Sequence, residues 1–234
     1  MTKIRRILWW GAAAAWLWPA GPAAAQSGFP FTSETLNYSV NWPSGLSLGE
    51  GHLRATTGTD GWEFEMSRDA SVPGFTVHDR YRSTASPNLC SLEFEKDLTH
   101  GSRRSREKTL FAYAEGIARR TTLNGGQSEI SISDCAKDAL DFLFFARREL
   151  GQGKVPPPQT VLFGAAYEVR MEYTGLQKVA VNEARLDADR VTVAFRGPSS
   201  NFSFEIFFAR DAARTPLVIR APFALGSFSM ELVR

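Results

Sequence analysis

The residues of this chain that could do acid–base or nucleophilic chemistry are few and widely separated. Its three histidines, His52, His78 and His100, lie in or beside strand-like segments with polar neighbours. A serine hydrolase needs a histidine held within reach of its nucleophile, and nothing in the spacing of these histidines places one there. The chain has no phosphate-binding loop, dinucleotide fingerprint or HExxH pattern. We therefore expect three exposed strand histidines, and we predict a protein that is not an enzyme and uses no cofactor.

Two cysteines, Cys90 and Cys135, could in principle serve a metal, a redox reaction or a disulfide. A redox pair would need a CxxC motif, and the scattered histidines do not complete a zinc site. In an oxidising compartment an isolated even pair of cysteines is most simply a disulfide. The sequence therefore predicts a disulfide between Cys90 and Cys135 that joins the start of a strand to the start of a helix.

Two charged residues stand in apolar patterns, where a charge is costly unless it has a partner. Arg147 lies on the apolar stripe of a predicted helix, and Asp79 shares a strand face with Val77 and Tyr81. Three arrangements would satisfy them. Arg147 could reach the rim of the fold while Asp79 lies near a strand end. The two could pair inside, or Arg147 could face a cavity and anchor an anionic head group.

Aromatic residues allow the same two interpretations, a filled core or the lining of a cavity for an apolar ligand. They include Trp42, Trp62, Phe195, Phe202 and Phe204. From the charged and aromatic residues together we name four candidate ligand-binding residues: Arg147, Asp79, Tyr81 and Trp42.

One long segment, residues 134–150, has a helical period. Asp134 is placed to cap its first turn, and Gly151 follows it where a left-handed residue commonly ends a helix. At 100° per residue, six side chains form one apolar stripe: Ala136, Ala139, Leu140, Leu143, Ala146 and Leu150. Phe145 does not fit, because it falls on the polar side.

Most of the remaining chain alternates apolar and polar residues with a period of two, as in residues 36–42, 62–66 and 202–208. Turn-forming residues separate these segments, which is typical of half-buried antiparallel strands. The predicted fold is mainly β: an antiparallel meander of about a dozen strands that forms a closed or spiral β-barrel, with one α-helix packed on or in it. An outer-membrane barrel, whose apolar residues face lipid, is an alternative.

Residues 1–25 have the basic start, apolar run and small-residue end of a secretory signal peptide, with cleavage expected after Ala25. Residues 26–234 then form a single domain without a stable membrane span. Because the leader contains three of the basic residues, the mature chain is close to neutral, which argues against a nucleic-acid partner. We expect an exported protein, periplasmic or extracellular.

Three stretches, ETLNYSVNWPSGLSLGEG, HDRYRS, and the predicted helix with its Gly and Pro turn, resemble a family of exported bacterial proteins, domain-of-unknown-function family 3108. The resemblance extends from about Glu34 to the C-terminus. It implies a curled β-structure with one helix in the cell envelope, and it brings no catalytic residues.

Three functions are compatible with these features. The first is a non-enzymatic periplasmic protein that binds a lipid or other apolar ligand within the curled sheet. The second is an envelope scaffold that acts by contact with a partner protein, with a filled core and an exposed apolar patch. The third is an unrecognised hydrolase, which would need a strongly shifted histidine or carboxylate in a cleft.

Overall fold

Fifteen strands and one α-helix organise the part of the chain that the structure, a computed structural model, describes: residues 33–233 without 73, 183, 199, 224 and 225. The predicted leader, residues 1–25, lies outside the described residues. The helix α1 spans Ala139–Gly151. The strands are β1 (Ser33–Asn41), β2 (Ser47–Thr57), β3 (Trp62–Val72), β4 (Phe75–Ala85), β5 (Ser91–His100), β6 (Arg103–Ala112), β7 (Ile117–Thr122), β8 (Gln127–Ser131), β9 (Lys137–Asp138), β10 (Gln159–Leu162), β11 (Ala166–Val181), β12 (Ala184–Arg196), β13 (Asn201–Ala209), β14 (Pro216–Phe223) and β15 (Gly226–Val233).

All fifteen strands belong to one sheet, built from two meanders that meet in its middle. The order runs from β8 back to β1 and then from β15 back to β9. Neighbouring strands are antiparallel except β9 and β10, which are parallel. The two meanders are joined where β1 pairs with β15.

The sheet curls until its β9 edge meets β5, along a line that we call the seam. At the seam the Ser91 amide donates a hydrogen bond of 3.0 Å to the Ala136 carbonyl. Cys90 and Cys135 form the predicted disulfide at this seam. Strands β6 to β8 continue beyond β5, so the sheet overlaps itself as a spiral and does not close strand to strand. The predicted curled fold with one helix is confirmed.

Helix α1 lies across one end of the curled sheet. Its Phe144 ring stacks on Phe64 at the start of β3, with 4.0 Å between ring centroids. Arg147, further along, donates to Glu34 at the start of β1 and to the carbonyl of Ala213 between β13 and β14. Because these partners all lie at strand ends at the same end of the curled sheet, the helix covers that end of the fold.

The helix begins later than the sequence predicted. Asp138, not Asp134, is the N-cap, and its carboxylate accepts hydrogen bonds from the amides of Leu140 and Asp141. The residues just before the helix pair with β10 as a short parallel strand, and this tertiary pairing overrides the helical pattern. At the other end the helix includes Gly151, and the left-handed residue is Gly153, with φ of 76°.

The apolar faces of the strands point into the curl. Tyr38, Leu53 and Phe64 are almost fully buried there. The outer face of the N-terminal meander carries cross-strand ion pairs, such as Lys108 with Glu93. This arrangement is the reverse of the outer-membrane alternative, which requires apolar residues outside. Within the described ranges, no helix has the length and apolar character needed to cross a membrane.

Candidate functional site: an apolar cavity with a charged mouth

A cavity of about 710 Å³ lies inside the curled sheet. Its floor is one face of α1, which contributes Ala139, Leu140, Phe142, Leu143 and Ala146. Its walls are inward-facing side chains of both meanders, and nearly all of them are apolar. Side chains just fill a barrel of about eight strands, whereas wider barrels keep a lumen. The number of strands therefore explains why this sheet keeps an interior space even though a helix occupies one end.

The mouth of the cavity is at the end of the sheet opposite α1. The C-terminal ends of β1, β3, β5, β12 and β14 lie at that end, as the antiparallel order of the strands requires. Phe75 at the start of β4 and Phe202 at the start of β13 line the cavity there and remain 46% and 40% exposed. Trp42 packs edge-on against Phe228, with 4.6 Å between ring centroids. The mouth therefore has an aromatic rim.

Among the described residues, ionisable side chains with a buried carboxylate partner border the cavity at one place beside this rim. We call Asp79, Arg68 and His100 the mouth cluster. The Asp79 side chain is fully buried. One of its carboxylate oxygens accepts a hydrogen bond from Arg68 Nη2, and the other lies 2.7 Å from His100 Nε2. Arg68 and His100 line the cavity, and their side chains stay 38% and 43% exposed. One buried carboxylate thus holds two nitrogen-bearing side chains at the mouth.

The structure separates the two charged residues that the sequence singled out. Arg147 is 1% exposed and lies outside the cavity lining. It makes a bidentate ion pair with Glu34, at 2.7 and 3.0 Å, and donates to the Ala213 carbonyl at 3.0 Å. The predictions that Arg147 pairs with Asp79 or faces a cavity are therefore wrong. Arg147 does reach strand ends, but its guanidinium is buried there against Glu34 and not exposed to solvent. The physical reason is Glu34, whose carboxylate supplies the partner a buried guanidinium needs.

The other two candidates lie on the cavity wall. Tyr81 contributes its ring next to Phe163, with 5.8 Å between centroids, and Trp42 lies near the mouth. Burial and the nearby Asp79 carboxylate raise the pKa of Tyr81, so its phenol is neutral over the physiological range. Their part in ligand binding stays a prediction.

The sequence reasoning missed Arg68 and His100. His100 was expected to be a simple exposed strand residue, and the structure instead places it against Asp79 in the cavity wall. The available signal was the alternation itself. Arg68 keeps step with Phe64 and Met66 on the inward face of β3, and His100 keeps step with Phe94 on β5. Continuing each pattern to the end of its strand brings both residues inside.

A second set of buried charges, which we call the seam cluster, contains Lys137, Asp138 and Asp141. Ser83 donates to Asp138 at 2.6 Å, and Ser91 donates to Asp141 at 3.0 Å. Burial raises the pKa of both carboxyls, that of Asp141 to about 7, where the neighbouring Asp138 also contributes. Burial lowers the pKa of Lys137, whose ammonium donates to the Leu89 carbonyl. These three residues do not line the cavity, and their hydrogen bonds join α1 and β9 to β4 and β5 across the seam.

Two features could indicate a hydrolase, and neither completes a site. The sequence contains one GxSxG pattern, at residues 45–49, but its Ser47 opens strand β2 and its hydroxyl lies 3.3 Å from that of Ser39. A nucleophile elbow instead requires a strand-to-helix turn. His100 is bonded to Asp79, yet no described hydroxyl or thiol is hydrogen-bonded to its ring. Across the described ranges, no three His, Cys, Asp or Glu residues cluster as a metal site would require.

The chain is similar to proteins of unknown function in both sequence and fold. A family model described as a protein of unknown function, DUF3108, matches residues 37–233. No curated protein matches the chain significantly. A crystal structure described as a beta-barrel-like protein of domain of unknown function DUF1849, from Brucella abortus, is similar with a TM-score of 0.58. That similarity covers 88% of this chain and 98% of the other at 9% identity, so it shows the fold alone.

Proposed function

We propose a function for the cavity from the premise that the chain belongs to DUF3108, a family of proteins of unknown function. The protein binds a lipid or another apolar molecule inside its curled sheet and does not transform it. The cavity is the observation that carries this proposal.

The size and lining of the cavity are those of a ligand site. Its volume of about 710 Å³ falls within the roughly 300–1,000 Å³ typical of sites for small molecules. Its lining is apolar apart from a few polar groups near the mouth, such as Arg68 and His100, which is the usual composition of such sites. An envelope scaffold with a filled core would not need this space, so the ligand-binding function is favoured over that alternative.

The proposed place of action is the cell envelope, most simply the periplasm. The support is the leader-like pattern of residues 1–25 and the disulfide-bonded pair Cys90 and Cys135, since disulfides persist in oxidising compartments. A protein that takes up an apolar molecule there would shield it from water during transfer or sensing.

Native mass spectrometry of protein purified from the periplasm without detergent tests the proposal. We expect a discrete extra mass that organic extraction removes, and its identity would name the ligand. The same spectrum reports the mature N-terminus and the disulfide. Extracted protein should also take up an apolar fluorescent probe.

Two matched variants locate the binding. Met171→Trp places an indole on the cavity wall of β11, whereas Glu172→Trp places the same group on the exposed outer face of the same strand. We expect Met171→Trp to weaken probe binding several-fold and Glu172→Trp to leave it unchanged. Equal binding by both variants, or no uptake by extracted parent protein, would overturn the proposal.

A further inference from the structure

The mouth cluster differs from an ordinary ion pair because several N–H donors of its arginine have no partner within the cluster. Arg68 carries five N–H donors, and the Asp79 carboxylate accepts from one of its terminal nitrogens. His100 likewise uses only one ring nitrogen on Asp79. Both side chains are partly exposed and border the cavity, so the remaining N–H donors of Arg68 can meet a molecule that enters it.

The position of the cluster also matters. The floor and most of the wall offer only apolar contacts, while Arg68 and His100 lie near the mouth with the aromatic rim. A bound molecule therefore meets apolar groups along its length and the N–H donors of Arg68 at its outer end. Asp79, whose side chain is fully buried and is not among the lining residues, holds both side chains in place.

We propose that the cavity selects an anionic amphiphile, with its chain toward α1 and its carboxylate or phosphate head bound by Arg68. A guanidinium fork matches the planar or tetrahedral oxygens of such heads and can bind them bidentately. An uncharged molecule of the same length would gain the apolar contacts but not these bonds. This inference rests on the proposed function, because it specifies the ligand class of that cavity.

The test compares three probes with the same long saturated chain: a carboxylate, an alkyl phosphate and an alcohol. Each is titrated into extracted protein in competition with one apolar fluorophore. We expect both anions to bind about tenfold more tightly than the alcohol, as a charge-assisted hydrogen bond at a half-exposed site implies. A difference between the two anions then distinguishes a carboxylate ligand from a phosphate one.

Arg68→Gln should remove this preference by lowering the affinity for the anions alone. Arg80→Gln is the matched control, because Arg80 lies on the outer face of the neighbouring strand, beside Glu65. Asp79→Asn tests the same assignment through an expected gain of affinity, which a merely unfolded or damaged variant would not show. It removes the negative charge that offsets the positive charge of Arg68 but keeps an oxygen acceptor. Anion binding should therefore tighten several-fold while alcohol binding stays the same.

The outcomes separate this inference from the function on which it rests. Equal affinity for the anions and the alcohol, or a preference that survives Arg68→Gln, overturns the head-group assignment and leaves apolar binding intact. An Asp79→Asn variant that binds anions no better than the parent also counts against it. If none of the probes displaces the fluorophore, the proposed function itself fails.

Discussion

In the described part of the chain, buried carboxylates lie in two places, and the groups around them differ in kind. Asp79 at the mouth is balanced by Arg68 and His100, which remain partly exposed. Asp138 at the seam is bonded to hydroxyl and backbone N–H groups that are themselves buried. In the first case the balancing groups can still reach a ligand. In the second they serve only the contact between α1 and the sheet.

This difference shows that a buried charge does not by itself mark a functional site. The raised pKa of Asp141 is the kind of perturbation often associated with catalysis, yet Asp141 lies outside the cavity. The position and the spare donors of the groups around a carboxylate are more informative. The mouth should therefore govern ligand binding, and the seam and floor should govern stability.

The largest effect on stability should follow removal of the disulfide across the seam. Replacing Cys90 and Cys135 together by alanine frees a long loop in the unfolded chain, which we expect to lower the free energy of unfolding by about 4 kcal/mol. Urea denaturation measures this loss. Affinity for an apolar probe, measured where the variant is still folded, should stay within twofold of the parent. A large loss of affinity in the folded variant would mean that the seam also shapes the site.

Arg147→Met should have the next largest effect. It leaves the Glu34 carboxylate without its buried partner at the floor, and breaking such a pair typically costs about 3 kcal/mol or more. Arg170→Met, on the exposed outer face of β11, is the matched control and should change stability little. Because Arg147 does not line the cavity, anion preference should survive. Loss of that preference would mean that Arg147 contributes to ligand binding after all.

The seam should also make stability depend on pH. The pKa of Asp141 is about 7 in the folded protein against an ordinary value of 3.8, so the folded state holds a proton that the unfolded chain releases. Its contribution is therefore greatest below about pH 4 and is lost as the pH rises to about 7, at no more than about 1.4 kcal/mol per pH unit. Asp138, whose pKa is also raised, acts in the same direction.

Chemical denaturation between pH 4 and pH 8 tests this dependence. The difference between the parent and Asp141→Asn cancels the other titrating groups. That difference should change across the interval and become constant above about pH 7. A difference that stays the same at every pH would contradict the role given to Asp141.

The smallest effect should come from the ion pairs on the outer face. Arg80→Gln breaks a contact with Glu65 in which both side chains are substantially exposed. Exposed pairs typically contribute less than about 1 kcal/mol, so we expect a change near the error of a denaturation experiment. A larger effect would indicate that the outer face supports the curl.

The sequence predicted the fold better than the site for a physical reason. Alternation and turns are local, and they correctly indicated inward faces such as that of Phe64 and Met66. Contacts between distant segments leave no local pattern. The pairing of Asp138 with Leu162 moved the start of the helix, and the Glu34 carboxylate gave Arg147 a partner that its helix could not reveal. The same alternation places Arg68 and His100 on the inward faces of β3 and β5. It could therefore have predicted both residues, as it did Asp79 on β4.

The meeting of β1 with β15 also has a consequence for how the chain folds. Each meander forms from neighbouring hairpins, whose contacts are close in sequence and therefore quick to make. Asn37 pairs with Val233, however, so the two halves become one sheet only when the last strand is present. We expect this joining to be a late step in folding. Until then each half exposes an unpaired edge strand, β1 in one and β15 in the other, and a chaperone that shields such edges would have its greatest effect at that stage.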